Sequence, residues 1–416
     1  MRPLFAHYPD KVLKDLLNNQ LVGLTVKQTT GVWLGLSTDI STGFFTLDGL
    51  TQAYLVDPTP DLRGLIETMI RRYMEIDPRA ISAQTHSTLT ALRGIFRWWR
   101  EVDSKPEYLD LVRRRFQLYR DHAETEHHSN YNWFERPDWT EPCAVVDAFL
   151  LAVQLWSATG ETELLEEAHR IFFNGLAHAQ RPNGGYGCDL CTGANGLLFV
   201  EPHKFFEAPW CCSMRGAEGL TRAAQYGWFV DGDTLVLPFY FGGTARVAIG
   251  GGEVSFEQRS AYPLKGAVTL RVVASTASRP VVLKLFAPSW SPAREFKVTF
   301  NSLPLPVTAE KHFAVVETLL RASDEIALTF PLRFSALPLQ NPARQPGHHR
   351  FGHGPLLLGH GGGEAVTLAA QNDFAALGAA RYRCSATGRV LAPLPALIDL
   401  TEAEAKAQRT QLVFAD

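Results

Sequence analysis

The chain has 416 residues, of which 46% are hydrophobic and 20% charged, and a formal net charge of −3. That is enough for two or three domains with real cores, and it excludes the strongly basic footprint that nucleic acid or an anionic membrane surface would require. The opening M-R-P-L-F-A-H-Y-P-D lacks the apolar stretch of a secretory leader, and no run approaches the about 20 apolar residues of a membrane span, so a cytoplasmic location without membrane partners is expected.

In chain order, residues 44–180 read as helical hairpins. One helix around Leu47 to Leu55 ends at the turn Asp57-Pro58-Thr59-Pro60, and a second carries Leu62, Leu65, Met69 and Tyr73 at helical spacing. A pair from near Ser87 turns at Asp103-Ser104-Lys105-Pro106, and a third begins at Cys143 and turns at Ala158-Thr159-Gly160. A period of roughly 50 residues fits a repeat architecture, and recurring polar groups at the inter-repeat loops favour closure into an α/α toroid. The pattern switches near residues 228–232 to short alternating runs such as Val268 to Val273, Val281 to Phe286 and Glu325 to Phe330, separated by glycine-rich turns. These predict an antiparallel β-sandwich. The expected division is a toroid-like domain over 1–230, a sandwich over 231–340, and a β-rich extension over 341–416 that packs on one of them, with a helical segment near Thr401 to Gln411.

Chemistry concentrates at loops between the predicted helices. Cys211 and Cys212 follow Pro209-Trp210 and precede a helical pattern (Met214, Leu220, Ala224), with Ser213 as an N-cap. A thiolate is easier to form at a helix N-terminus, although a buried cysteine pair is more often plain core. Without a leader, the cysteines at 143, 188, 191, 211, 212 and 384 are expected to be thiols or metal ligands rather than disulfides. Thr140-Glu141-Pro142-Cys143 places a capping threonine and a first-turn proline around a carboxylate and a thiol. If Glu141 lies at the non-helical edge, the two groups can converge. Glu141, Cys143, Cys211 and Cys212 form an acceptable tetrahedral zinc set; Cys188-Asp-Leu-Cys191 competes for the same metal, and spacing does not decide between them. The loop from Ala123 to Asp138 offers Glu124, Glu126, Glu135 and Asp138 as acids beside Tyr131, Trp133 and Phe134 as sugar platforms, with a solvated loop as the equal alternative. His86 lies at a helix start and can face the same rim.

The motifs T-E-P-C-A at 140–144, W-C-C-S-M-R-G at 210–216 and T-H-S-T-L-T-A-L-R-G at 85–94, with G-P-L-L-L-G at 354–359, together resemble glycoside hydrolase family 127, the β-L-arabinofuranosidase family. The resemblance implies an α/α-toroid catalytic domain followed by β-sandwich material. It also implies a zinc ion held by Glu141, Cys143, Cys211 and Cys212, with Cys211 as the nucleophile. The family's acid/base glutamate lies some sixteen residues before the E-x-C glutamate; Glu126 lies fifteen before Glu141 and Glu124 seventeen before, and Glu126 is favoured because Tyr131 then follows as a tyrosine does in the family. His86, Tyr186, Trp133 and Tyr131 are the expected substrate contacts. The helical part is short for a full ring, and C-C-S-M replaces the family's usual C-C-P-P.

The reading is therefore a retaining glycoside hydrolase that releases β-L-arabinofuranose or a related sugar, with Zn2+ as cofactor and a small carbohydrate or oligosaccharide as partner; a homodimer is left open. A second reading is a non-catalytic carbohydrate-binding or scaffold protein with a structural zinc site made of Cys188, Cys191, Cys211 and Cys212. A third is a toroid-fold sugar enzyme using only carboxylates such as Glu126 and Asp138.

Overall fold

Prolines and glycines set the helix ends that the spacing predicts. In the computed structural model, which describes residues 43–202, 211–362, 364–398 and 409–415, helix α1 (Thr46–Val56) stops at the Asp57 to Pro60 turn. Helix α2 (Pro60–Glu75) starts there, with Thr59 Oγ1 accepting the Leu62 N–H at 3.2 Å. Helix α3 (Thr85–Glu101) and helix α4 (Pro106–His122) form the next hairpin, and helix α5 (Pro142–Thr159) and helix α6 (Thr162–Arg170) the third. Proline occupies the first turn of α2, α4 and α5, where its missing N–H costs nothing. Gly160 closes α5 at φ 71°, in the left-handed region where a glycine is favoured.

Helix α5 is apolar nearly all round, and it packs against α3, α6 and helix α7 (Cys211–Gln225). Its 18 residues are long and apolar enough to cross a membrane by length and composition, which corrects the expectation that no run approaches a span. Yet 78% of that stretch is buried inside the protein, as in the central helix of a core. Helix α6 runs into a π-helical turn, Ile171–Leu176. There Gly175 lies directly against the His128 carbonyl, where a Cβ would collide, and Asn174 Nδ2 donates to the Pro355 carbonyl at 2.9 Å while its Oδ1 accepts the Leu357 N–H at 2.7 Å. The turn thus ties the helices to the C-terminal strands.

The segments between helices are not open loops. Strands β1 (Tyr131–Trp133) and β2 (Arg136–Thr140) form a hairpin inside the α4–α5 connection, and β3 (Asp189–Thr192) and β4 (Phe199–Pro202) extend it. The C-terminal strands Leu356–Gly361, Val390–Pro393 and Thr410–Gln411 join the same 12-stranded sheet, in the order β1, β2, β3, β4, 410–411, 356–361, 390–393, which then continues to Arg381–Cys384 and Phe374–Gly378. Thr410–Gln411 is therefore strand where a helix is expected, and residues 401–408 of that expectation lie outside the described residues, as do the leader reading on 1–42 and Pro209-Trp210 ahead of the cysteine pair.

Between them, residues 229–330 form two facing sheets. One contains Phe229–Asp231, Thr234–Leu237, Val281–Phe286, Thr308–Glu310 and Phe313–Thr318. The other contains Gly243–Ile249, Gly252–Ser260, Gly266–Ser275, Lys297–Phe300, Leu303–Pro304 and Glu325–Phe330. Alternation sends Leu283 and Leu285 from one sheet, and Leu270, Val272, Ile326 and Leu328 from the other, into a shared core. The sandwich departs from the antiparallel expectation at one pair: Val281–Phe286 runs parallel to Thr234–Leu237, because the intervening strands cross to the opposite sheet and the chain returns in the same direction. His169 joins helices to sandwich. Its Nδ1 lies 2.9 Å from the Tyr262 hydroxyl and its Nε2 2.9 Å from the Pro238 carbonyl, and burial holds its pKa down to about 3, so the ring is neutral.

Candidate functional site: a cysteine cluster between two helix starts

Two helix N-termini meet here. Glu141 is the N-cap of α5, extended at φ −135° and ψ 109°, so its side chain leaves the helix while Cys143 enters it. This is the geometry under which the two groups can converge. Cys211 and Cys212 occupy the first turn of α7, not the loop before it. The Sγ atoms of Cys143 and Cys212 are 3.8 Å apart, and those of Cys143, Cys211 and Cys212 all lie within 4.8 Å of one another. His86, Glu141 and Cys143 form an overlapping group of the same dimension. Cys143 and Cys212 are buried and Cys211 is exposed.

Thr140 and Ser213 do not cap these helices. Thr140 Oγ1 accepts the Asp189 N–H at 2.9 Å, and Ser213 Oγ accepts the Tyr186 N–H at 3.1 Å. Both hydroxyls pin the chain around residue 188 to the two helix starts. The face that α7 buries is also not the expected one: Met214 and Leu220 are exposed, and Cys212, Gly216, Gly219 and Ala223 face inward. Gly216 lies flat against the Tyr186 ring, so an alanine there would drive its methyl into that ring. Gly216→Ala is expected to destabilise the protein by about 1–3 kcal/mol and to tilt the turn that carries Cys211 and Cys212; chemical denaturation with unchanged stability would show that the Tyr186 contact is soft.

The thiols share protons unequally. Cys212 is held down to about 3, first by a hydrogen bond from Cys143, then by one from Cys188, against the cost of burial. Cys143 is pushed up, because it donates to Cys211 and Cys212. Cys211 is lowered, chiefly by the hydrogen bond from Cys143.

The remaining expected residues fall into two classes. His86, in the first turn of α3, is mostly buried, with Nδ1 3.5 Å from Glu141 and Nε2 3.3 Å from Asp147; burial works against its charge, but the bond to Glu141 and the Asp147 carboxylate outweigh it and raise its pKa. Tyr186 is buried over Gly216, and its hydroxyl has no hydrogen-bond partner among the described residues. Trp133 is half-buried, edge-on to Trp139 and under the Arg136 guanidinium at 4.5 Å. Tyr131 is not placed as a sugar platform: it is 1% exposed, packed in a second core with Cys191 and Leu197, and its hydroxyl donates to the Gly196 carbonyl at 3.4 Å.

Glu126 is 3% exposed. Its Oε2 accepts the Gln340 N–H at 3.0 Å and pairs with Arg350 Nε at 3.3 Å, and the described bonds of its carboxylate lead to the C-terminal segment rather than to the cysteines. Glu124 shares a buried cluster with Glu167 and His128, whose Nδ1 lies 3.1 Å from Glu124 and 2.6 Å from Glu167; burial and the Glu167 carboxylate push Glu124 well up. The stretch 124–131 is wholly buried, so the solvated-loop alternative fails there, whereas Glu135 and Pro137 further along the same loop are exposed. Asp138 is half-buried and accepts from Arg136 at 3.2 Å. Cys191 sits in the second core, and no donor group among the described residues joins it to Cys211 or Cys212, so the Cys188/Cys191/Cys211/Cys212 set is not assembled.

Sequence reasoning missed Asp147. It is fully buried on α5, four residues after Cys143, and accepts from Arg93 Nη1 at 2.6 Å, from Thr90 Oγ1 at 2.7 Å and from Arg215. A single carboxylate inside an otherwise apolar helix was the available signal, since such a group must be paired. Through Arg215 it links α5 to the helix that carries the cysteine pair.

Residues 234–332 match the family model described as "Beta-L-arabinofuranosidase, GH127 middle domain". No curated protein sequence matches the chain. Among solved structures, one titled glycoside hydrolase has TM-score 0.69 at 12% identity, covering 91% of this chain and 74% of its own. A GH127 beta-arabinofuranosidase has TM-score 0.69 at 14% identity, covering 89% and 68%. A GH127 beta-L-arabinofuranosidase from Geobacillus stearothermophilus has TM-score 0.65 at 14% identity, covering 91% and 72%. Helices and sandwich thus share the fold of these solved structures. Residues 234–332 are similar to the middle domain of glycoside hydrolase family 127, and for the rest of the chain the likeness to these structures is one of fold.

Proposed function

We propose that the protein is a retaining glycoside hydrolase acting on a β-L-arabinofuranoside or a closely related furanoside, with Cys211 as its nucleophile. We read the helical hairpins as an arc of an α/α toroid whose rim carries the site. The observation that supports this most is the arrangement of an exposed Cys211 thiol against two buried ones and the Glu141 carboxylate.

The donor set fits a zinc ion. Sulfurs bound tetrahedrally at about 2.3 Å stand about 3.8 Å apart, and Cys143 and Cys212 already show 3.8 Å. Glu141, Cys143, Cys211 and Cys212 would hold the ion; when bound, zinc keeps the sulfurs as thiolates at neutral pH. The Cys211 sulfur attacks the anomeric carbon and the bond to the leaving oxygen breaks. Water then replaces the sulfur, with net retention. His86, held by Glu141 and Asp147 and grouped with Glu141 and Cys143, can donate to a sugar hydroxyl. Elemental analysis of reduced, purified protein tests the metal: one zinc per chain is expected, and folded, active, metal-free protein would contradict it.

The resemblance assigns proton donation to Glu126, and in this structure that requires its pair with Arg350 to open when substrate binds. Glu126→Gln is expected to slow hydrolysis of alkyl furanosides by about 10²–10⁴-fold and of activated aryl furanosides far less. Equal losses on both, with a lower melting temperature, would make Glu126 a strut for the C-terminal strands instead.

A further inference from the structure

The mechanism leaves a second group of buried donors unused. His127, His178 and Asp189 are 1%, 2% and 1% exposed, and each brings one ligand-type atom within 4.8 Å of the other two. They come from three separate segments. His127 belongs to the buried stretch 124–131, His178 to the helical turn Ala177–Ala179 behind the π-helical turn, and Asp189 opens β3. Asp189 stands between Cys188, in the main core, and Cys191, in the second.

Outer bonds fix these side chains. Arg181 Nη2 donates to Asp189 Oδ1 at 2.9 Å and leaves Oδ2 against His178 Nδ1 at 3.0 Å. The same guanidinium donates to the His178 carbonyl at 3.1 Å and the Cys188 carbonyl at 3.0 Å, so it holds both segments. His127 Nδ1 lies 3.0 Å from Thr125 Oγ1, which also accepts the Ser129 N–H at 3.0 Å. A hydroxyl oxygen has two lone pairs and can accept both. The other ring nitrogen, His127 Nε2, is buried and has no hydrogen-bond partner among the described residues. Such an orphan is costly. Its ring stands edge to face with that of His178, centroids 5.7 Å apart.

We propose that His127, His178 and Asp189 form a second metal site, separate from the cysteine set, for a divalent first-row transition ion of the zinc class. Two imidazoles and a carboxylate suit such ions, with water in the fourth position. Donors at about 2.0–2.1 Å from a shared zinc stand about 3.4 Å apart, close to the 3.0 Å between His178 Nδ1 and Asp189 Oδ2. The ion replaces the proton that this pair shares. That proton leaves to solvent, and His127 Nε2 gains its missing partner. Thr125 and Arg181 then serve as the outer partners that orient a ligating imidazole and a ligating carboxylate. The nearby group of Glu124, His128 and Glu167 has the same dimension but needs no ion, because Arg120 and Arg170 already pair with Glu167 at 3.3 and 3.6 Å. The Arg181 charge makes the new site weaker than the cysteine set, so it fills when ion is supplied. Occupied, it braces the stretch 124–131 against β3, whose Asp189 N–H bonds Thr140 beside Glu141.

The test is titration of full-length, reduced protein, already carrying its first zinc, with cobalt(II) followed by dialysis and elemental analysis. One further equivalent should be retained, without thiolate-to-cobalt absorption. X-ray absorption at the cobalt edge should show nitrogen and oxygen donors with imidazole scattering and no sulfur. His127→Asn keeps an amide near Thr125 but has no atom at the Nε2 position, and His178→Asn keeps a donor to Asp189 but no lone pair for a metal. Each should lose the second equivalent and keep the first. No second equivalent in the parent overturns the site, as does sulfur scattering. A second equivalent that persists in His127→Asn is surface binding and also overturns it. Absence of the first equivalent bears on the cysteine set instead, and the two results are read separately.

Discussion

Cys211→Ser should lose hydrolysis of a β-L-arabinofuranoside by on the order of 10⁴-fold or more, the scale seen when a covalent nucleophile is removed, while the fold and its melting temperature stay close to those of the parent. The reason lies in the contrast among the cysteines. Cys143 and Cys212 are buried between α5 and α7, so changing either disturbs packing, whereas Cys211 is exposed on the first turn of α7. Serine preserves its size, but its hydroxyl is far less acidic and a poor partner for soft metal ions. Loss of activity without loss of stability is the signature of a nucleophile; activity retained within a few fold would leave a sugar-binding role ahead.

Asp147→Leu should be the most destabilising single change near the site, by about 3–5 kcal/mol, because it leaves the Arg93 and Arg215 guanidinium groups with only the partly exposed Glu218 carboxylate between them. Asp147 is fully buried, Arg93 is 5% exposed, and both Arg93 and Arg215 would be left facing an apolar side chain. Burial alone would raise the Asp147 pKa, but Arg93 and Arg215 more than offset it and hold it below the ordinary carboxylate value. A lowered folded-state pKa stabilises fully above the unfolded value of about 3.9, and that stability is lost as the pH falls through the lower, folded-state pKa. Denaturant melts from pH 7 downward should therefore show an acid-side loss in the parent that is reduced in Asp147→Leu. Unchanged stability at pH 7 would mean that the two arginines find solvent.

The hairpins were legible because their signals are local: helical spacing of Leu62, Leu65, Met69 and Tyr73, proline in the first turns, and Gly160 at the end of α5. The E-x-C geometry was legible for the same reason, since Pro142 starts the helix and leaves Glu141 outside it. What local pattern does not carry is pairing over long distances. Glu126 and His128 are buried because Arg350 and Gln340, more than 200 residues on, arrive to satisfy them, so an acidic loop became part of a core. The α7 face was misread because close packing there uses Gly216 and Gly219 in place of large apolar residues, and glycine carries no hydrophobic signal. The split of Cys188 from Cys191 depends on the chain being extended at β3, which the glycine-rich sequence around it does not announce.

The most direct measurement of the central claim is covalent trapping. Intact protein treated with a cyclophellitol-type or haloacetyl furanoside probe, digested and analysed by mass spectrometry, should carry one label, on Cys211, and the label should be absent from Cys211→Ser. A label on Cys143, on Cys212 or on a carboxylate such as Glu126 would contradict the assignment of Cys211 as the nucleophile.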